Sequence, residues 1–234
     1  MKYILLIILF FIAIEGQTQE APVQKKRISI RRHFKNLSVQ QIKDLKNGVL
    51  LVRLHTKNST ISALRKNGND KQADKIELKQ FETNQEIIIA FRERFEFCPV
   101  YFFYSDYSIN VMEREFGNVT FLNDSLEPDS TIKFKTHNFL TADFGTIDQD
   151  TTMRFDGYYY DYGEHGLEKR SKYYGGSNMG FGALVMRSDK FVQLHKPFPY
   201  YVRTYESMPF SANSKNVVKK MDKKLDRFYK RKHR

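Results

Sequence analysis

A chain of 234 residues with one cysteine and no tryptophan has few shortcuts to stability. Cys98 alone cannot form an intrachain disulfide, so the fold must rest on its apolar core. Dithiol exchange is excluded as well, because Cys-x-x-Cys is missing. Cys98 itself sits in Phe97-Cys98-Pro99-Val100-Tyr101 at the mouth of an apolar run, where a buried, inert thiol is expected. With only 6 prolines and 12 glycines, the composition is neither collagen-like nor of low complexity.

Catalytic signatures are also missing. The chain has no Gly-x-Ser-x-Gly elbow, no Walker loop and no His-Glu-x-x-His pair. Asp143-Phe144-Gly145 matches a kinase triplet, but no glycine loop or His-Arg-Asp loop accompanies it, so it reads as coincidence. The six histidines are scattered, and Asp148 and Asp150 lack the further oxygen ligands and the glycine of a calcium loop. No metal and no cofactor is expected.

Only one long apolar run exists, the 11 residues Ile4 to Ile14, ended by Glu15. A membrane-spanning helix needs about 20 apolar residues. A short apolar run after Lys2, followed by the small residues Gly16 and Thr18, has the form of a secretory signal peptide, so residues 1–19 are expected to direct export to the periplasm or medium. No cysteine follows the run to carry a lipid.

What the chain has is aromatic bulk and positive charge. It is 41% hydrophobic and 15% aromatic, all Phe and Tyr, with a net charge of +12. Residues 20–36, with Lys25, Lys26, Arg27, Arg31, Arg32 and Lys35, read as a solvated basic arm. Between Lys215 and Arg234 ten basic side chains face only Asp222 and Asp226, a local +8. Val217, Val218, Met221, Leu225 and Phe228 recur there at helical spacing, which predicts an amphipathic helix with a basic face. Such a helix either packs its stripe on the domain or meets an anionic lipid surface, glycan or small ligand. Export disfavours nucleic acid.

Residues 37–214 read as a single α/β domain with a mixed sheet. Ser38 is expected to cap a short helix over Leu37 to Leu45, stopped by Gly48. Val49 to Leu54 is a strand buried on both faces. Helix follows from the cap candidates Asn58, Ser59 and Thr60 to about Phe95, broken at Asn67-Gly68-Asn69. Val100 to Tyr104 is a second strand, Ile109 to Phe116 a short helix closed by Gly117, and Val119 to Leu122 a third strand. This β-α-β-α-β order predicts a parallel N-terminal half. Thr131 to Thr136, Phe139 to Phe144, Ala183 to Met186 and Phe191 to Leu194 are expected as antiparallel additions, the last two flanking a turn at Ser188-Asp189. Residues 155–182, rich in Tyr and Gly, read as a long loop, either a binding surface or a hairpin that covers the sheet.

Ligands of open α/β sheets bind beyond the carboxyl ends of the strands. That rule selects His55, Lys57 and Ser59 after the first strand, Ser105 and Asp106 after the second, and Asp124 after the third, together a candidate site for an anionic or polar ligand. Helix capping explains the Ser and Asp residues equally well. Two function classes stand: a non-catalytic binding or interaction protein, and a hydrolase-like enzyme using Asp106 as acid/base or orienting group at the strand ends.

The segments Asn47 to Leu54, Phe97 to Ser105, Phe191 to Leu194 and Pro197 to Arg203 resemble an uncharacterised family of exported Bacteroidota-type proteins. The resemblance implies an envelope location and supplies no catalytic residue.

Overall fold

The computed structural model describes residues 23–132, 138–148, 150–163, 166–174, 182–204 and 213–232; at 23–31, 150–163 and 166–174 the description is of the backbone. The compact body comprises Lys35–Arg234. The expected signal peptide lies outside the described residues, among which no helix is long and apolar enough to cross a membrane.

The first helix, α1, runs Val23–Asn47, so residues 23–36 of the expected arm are helical. The physical reason is that no Gly or Pro interrupts the span and its Lys, Arg and Gln residues are good helix formers. Ser38 is therefore buried inside a helix and is no cap; with Ile42 and Leu45 it forms one buried stripe at i, i+4, i+7.

Strand β1 (Val49–Leu54) follows, then helices α2 (Asn58–Lys66) and α3 (Asp70–Arg94), broken at Asn67–Asn69 as expected. Strand β2 is Val100–Tyr104, α4 is Ser108–Glu113 and β3 is Phe121–Leu122. Then come β4 (Phe139–Thr146), β5 (Asp150–Gly163), β6 (Gly166–Tyr174), β7 (Gly182–Arg187), β8 (Tyr201–Arg203) and the terminal helix α5 (Ser214–Lys232).

Six strands form one mixed sheet in the order β3-β2-β1-β4-β7-β8, parallel over β2-β1-β4 and antiparallel elsewhere. The fold class is the expected one, with a different third parallel strand. β4 pairs with β1 in parallel, whereas the segment around Leu122 pairs with β2 in the antiparallel sense. Between β2 and β3 lie α4 and two 3₁₀ turns, Ser105–Tyr107 and Phe116–Asn118, and the six residues of α4 rise only about 9 Å, too little to carry the chain back along β2 for a parallel crossover. Arg114, in the left-handed conformation at φ 63°, ends α4 before Gly117 is reached.

Period-two alternation splits β1 between two cores. Leu50, Val52 and Leu54 join Ile42, Ile88, Phe91 and the α5 stripe on one face, and Val49 and Leu51 join Phe103, Val111, Phe121 and Phe139 on the other. The expected strand Phe191–Leu194 makes only an isolated bridge, Arg187 to Gln193, because Ser188 to Val192 close a tight turn and Phe191 takes φ 56°. The Tyr/Gly-rich stretch is not simply a loop: β5 and β6 pair as a two-stranded antiparallel sheet. Residues 133–136 of the strand expected over Thr131 to Thr136, and 164–165 and 175–181 of this stretch, lie outside the described residues. Cys98 is 9% exposed, and burial pushes its thiol pKa up to about 12, which suits an inert core residue.

Gly48 joins α1 to β1 where no side chain fits: a Cβ there would stand 2.1 Å from the Asn138 carbonyl oxygen and 2.6 Å from that of Asp44. Gly48→Ala is expected to lower the unfolding free energy by roughly 2 kcal/mol or more through overpacking against backbone, as read from urea denaturation; an unchanged midpoint would refute the close approach.

Candidate functional site

Parallel pairing carries the ends of β1 and β2 to the same side of the sheet, with Leu54 opposite Tyr104. His55 to Asn58 therefore meet Ser105 and Asp106. Thr56 donates from Oγ1 to Asp106 Oδ1 at 3.3 Å, Asn58 donates from Nδ2 to Asp106 Oδ2 at 3.2 Å, and the Thr56 and Ser105 hydroxyls lie 3.5 Å apart. Both carboxylate oxygens of Asp106 thus tie one loop to the other. Lys57 occupies the cap position of α2 at φ 55°, with no side-chain cap bond from it, so Asn58 and Ser59 are first-turn residues and not caps. Lys57, Ser59 and Asp106 are exposed.

Asp124 does not join them. Because β3 runs antiparallel to β2, with Phe102 opposite Leu122, the chain leaves β3 at the amino end of β2. There Arg92 donates from Nε to Asp124 Oδ1 at 2.6 Å and from Nη1 to the Val100 carbonyl at 3.2 Å. The proposed gathering of Asp124 with Asp106 fails on strand polarity.

A charged cluster that strand-end reasoning overlooked lies beside His55. In the register Val49 to Phe139 and Leu51 to Thr141, the next same-face pair is Arg53 with Asp143, and Arg187 stands opposite Thr141 across β7. Asp143 is 1% exposed. It accepts from Arg53 Nη2 on Oδ2 and from Arg187 Nε on Oδ1 at 3.0 Å, while Arg187 Nη1 reaches Asp148 at 3.0 Å. Arg53 also lies 4.9 Å from the Phe191 ring centroid. The signal in the sequence was a single charge in each of two apolar strands at matching register. Burial lowers the His55 pKa, and Arg53, Arg187 and Lys57 add to that against the opposing pull of Asp143. Two guanidiniums holding one carboxylate give a rigid, dry junction, with neither carboxylate oxygen left over for a substrate.

The other concentration of charge surrounds α5. Val217, Val218, Met221, Leu225 and Phe228 are at most 2% exposed, so the stripe packs on the domain. Asp222 accepts the amide protons of Glu96 and Phe97 on Oδ1, both at 2.9 Å, and Lys215 pairs with Glu93 at 2.7 Å. Asp226 pairs with Lys230. Docked this way, the helix turns cations toward the edge strand β8, and the two enclose a groove of about 540 Å³ lined by Arg203, Lys220, Lys223, Lys224 and Arg227 beside Tyr201 and Val202. A second hollow of about 450 Å³ adjoins it, sharing Tyr201, Lys224 and Arg227 and adding Lys196, Arg231 and the Pro197–Tyr200 wall. Among the described residues, no carboxylate lines either one. Lys224 donates to the Tyr201 carbonyl at 3.0 Å, and partial desolvation, then the ammonium of Lys220, lowers its pKa. Among the described residues, no group of three His, Cys, Asp or Glu side chains is placed to hold a metal ion.

Removing Asp143 leaves two largely buried cations facing each other, so Asp143→Ala should cost about 3 kcal/mol or more, with part of the loss recovered when Arg53 and Arg187 are also made Leu. A single substitution costing under about 0.5 kcal/mol in urea melts would show the junction to be dispensable. For His55, the folded pKa lies below the ordinary 6.5, so the unfolded chain binds more protons in mild acid. The stability of the neutral ring is present above that pH and falls as pH drops from 6.5 toward the folded pKa. Urea midpoints at about pH 7.5 and about pH 5.5 should differ less in His55→Gln than in the parent, and equal differences would contradict this.

No family model matches the chain, and no curated protein or solved structure matches it either.

Proposed function

We propose that this chain is an exported, non-catalytic protein that binds an anionic ligand, a small molecule or a component of the cell envelope, in the groove between α5 and β8. The observation that carries the reading is the sign of that groove: its lining offers seven cations and, among the described residues, no carboxylate. Low-dielectric walls concentrate such a field and draw anions in. Both acidic residues of α5 serve elsewhere, Asp222 in docking and Asp226 against Lys230. Export rests on the 11-residue apolar run behind Lys2 and on the resemblance to exported proteins.

The hydrolase alternative has less support. Asp106 is exposed and engaged at both oxygens by Thr56 and Asn58, and Asp124 belongs to the opposite end of the sheet.

Anything that binds the folded state alone raises its melting temperature. In low salt, phosphate, citrate or heparin should raise the Tm of the full chain, and the pair Lys223→Glu, Arg227→Glu should lose at least half of the shift. The equally charged control Lys71→Glu, Lys75→Glu, in the first turns of α3, should keep it. No shift with any anion, or equal losses in both variants, would overturn the groove. Mass spectrometry of the native protein should show the N-terminus shortened by about 19 residues, and retention of Met1 would overturn export.

A further inference from the structure

The anion-binding reading leaves open what shape of anion the groove takes, and the arrangement of charge bears on it. Lys220, Lys223, Arg227 and Arg231 follow one another along α5 at three- or four-residue intervals. A rise of about 1.5 Å per residue spreads them over roughly 16 Å, one cation per turn. The two hollows lie end to end, joined at Tyr201, Lys224 and Arg227. A compact anion such as phosphate meets only one or two of these turns at once, whereas an extended one can meet all four. Nor does any of these four make an ion pair with a described carboxylate. We infer that the ligand is an extended acidic polysaccharide laid along α5, its charges repeating against successive turns of the helix; this rests on the anion-binding reading above.

Three observations favour a glycan over other polyanions. A bilayer surface needs a flat or convex face and apolar groups to insert, but this face is concave and the apolar residues of α5 are buried under it. Single-stranded nucleic acid is held by a series of stacked rings. Here Phe198 and Tyr200 are 1% and 2% exposed, leaving the partly buried Tyr201 as one ring, flanked by Pro197 and Pro199 and with the Lys224 ammonium 5.6 Å from its centroid. One ring and a proline wall suit the apolar face of a sugar.

The test is equilibrium binding of the full chain to size-fractionated heparin oligosaccharides, with inorganic phosphate, single-stranded DNA of matched charge and phosphatidylglycerol vesicles as competitors. Affinity should climb with oligosaccharide length until the chain spans the groove and then level off. Engaging four cations should make log K fall with log salt at a slope of roughly −3, and Lys223→Glu with Arg227→Glu should flatten that slope by about half. Lys71→Glu with Lys75→Glu should leave the length dependence and slope unchanged. A disaccharide binding as tightly as the long chain, or DNA or vesicles displacing heparin at lower charge concentration than heparin itself, would overturn the extended-glycan inference while leaving an anion site in place. Absence of binding to every probe would overturn both.

Discussion

The docking of α5 governs what this protein presents to its surroundings. Five side chains of the helix, Val217, Val218, Met221, Leu225 and Phe228, enter the same core as Leu50, Val52 and Leu54. Each such burial is worth roughly 1.5–3 kcal/mol, so the stripe fixes the rotation of the helix about its axis more firmly than its surface charges can. Asp222 then fixes its position along that axis, by accepting two backbone protons where α3 hands over to β2. With rotation and translation both set, Lys220, Lys223, Lys224, Arg227 and Arg231 fall beside the edge strand β8 and its approach. The groove is a consequence of core packing.

The same face of the sheet explains why parallel strands sit in the middle. β1 is flanked by β2 and β4, covered on one face by α1, α3 and α5 residues and on the other by Val111, Val119 and Phe121. Strands buried on both faces read as unbroken apolar runs, and Val49 to Leu54 and Val100 to Tyr104 were legible for that reason. Strand direction was not legible. The span between β2 and β3 holds a helix of six residues, and the sequence pattern of helix then strand looks alike whether or not the helix crosses the sheet. Asp124 was misplaced by that ambiguity alone, and the end of the sheet on which any loop falls inherits it.

Site residues divide along a similar line. The basic stripe of α5 could be read from periodicity, because a helix displays its own faces. Its partner could not: β8 is three residues long, and Arg203 and Tyr201 become groove residues only once β8 pairs with β7 and lands beside the helix. Arg53 and Asp143 are 90 residues apart, and neither is unusual by itself. Their relation appears only in the register of β1 with β4. Long-range pairing is what single-sequence reasoning lacks, and here the charge partners depend on it. The helical backbone of the basic arm was not legible for a different reason. Charge density suggested solvation, while the uninterrupted run of straight-chain residues favoured helix, and Ile42 with Leu45 gave that helix a core to pack on.

A helix with nine cations and two carboxylates between Ser214 and Lys232 is arranged against its own stability. Like charges at i, i+4, such as Lys219 with Lys223 and Lys220 with Lys224, repel on a helix surface by a few tenths of a kcal/mol each, and a glutamate at either partner position would turn the term favourable. Burial lowers the pKa of Lys224 most, and the ammonium of Lys220 adds the local share of that repulsion. Rules of local stability are broken most often where a surface has another task, and five of the nine cations of α5 line the groove beside β8. An anion in the groove would offset the repulsion between these cations. On the proposed reading, binding and charge relief would be one event, with the free groove carrying the electrostatic cost that a ligand spanning several turns would lower most.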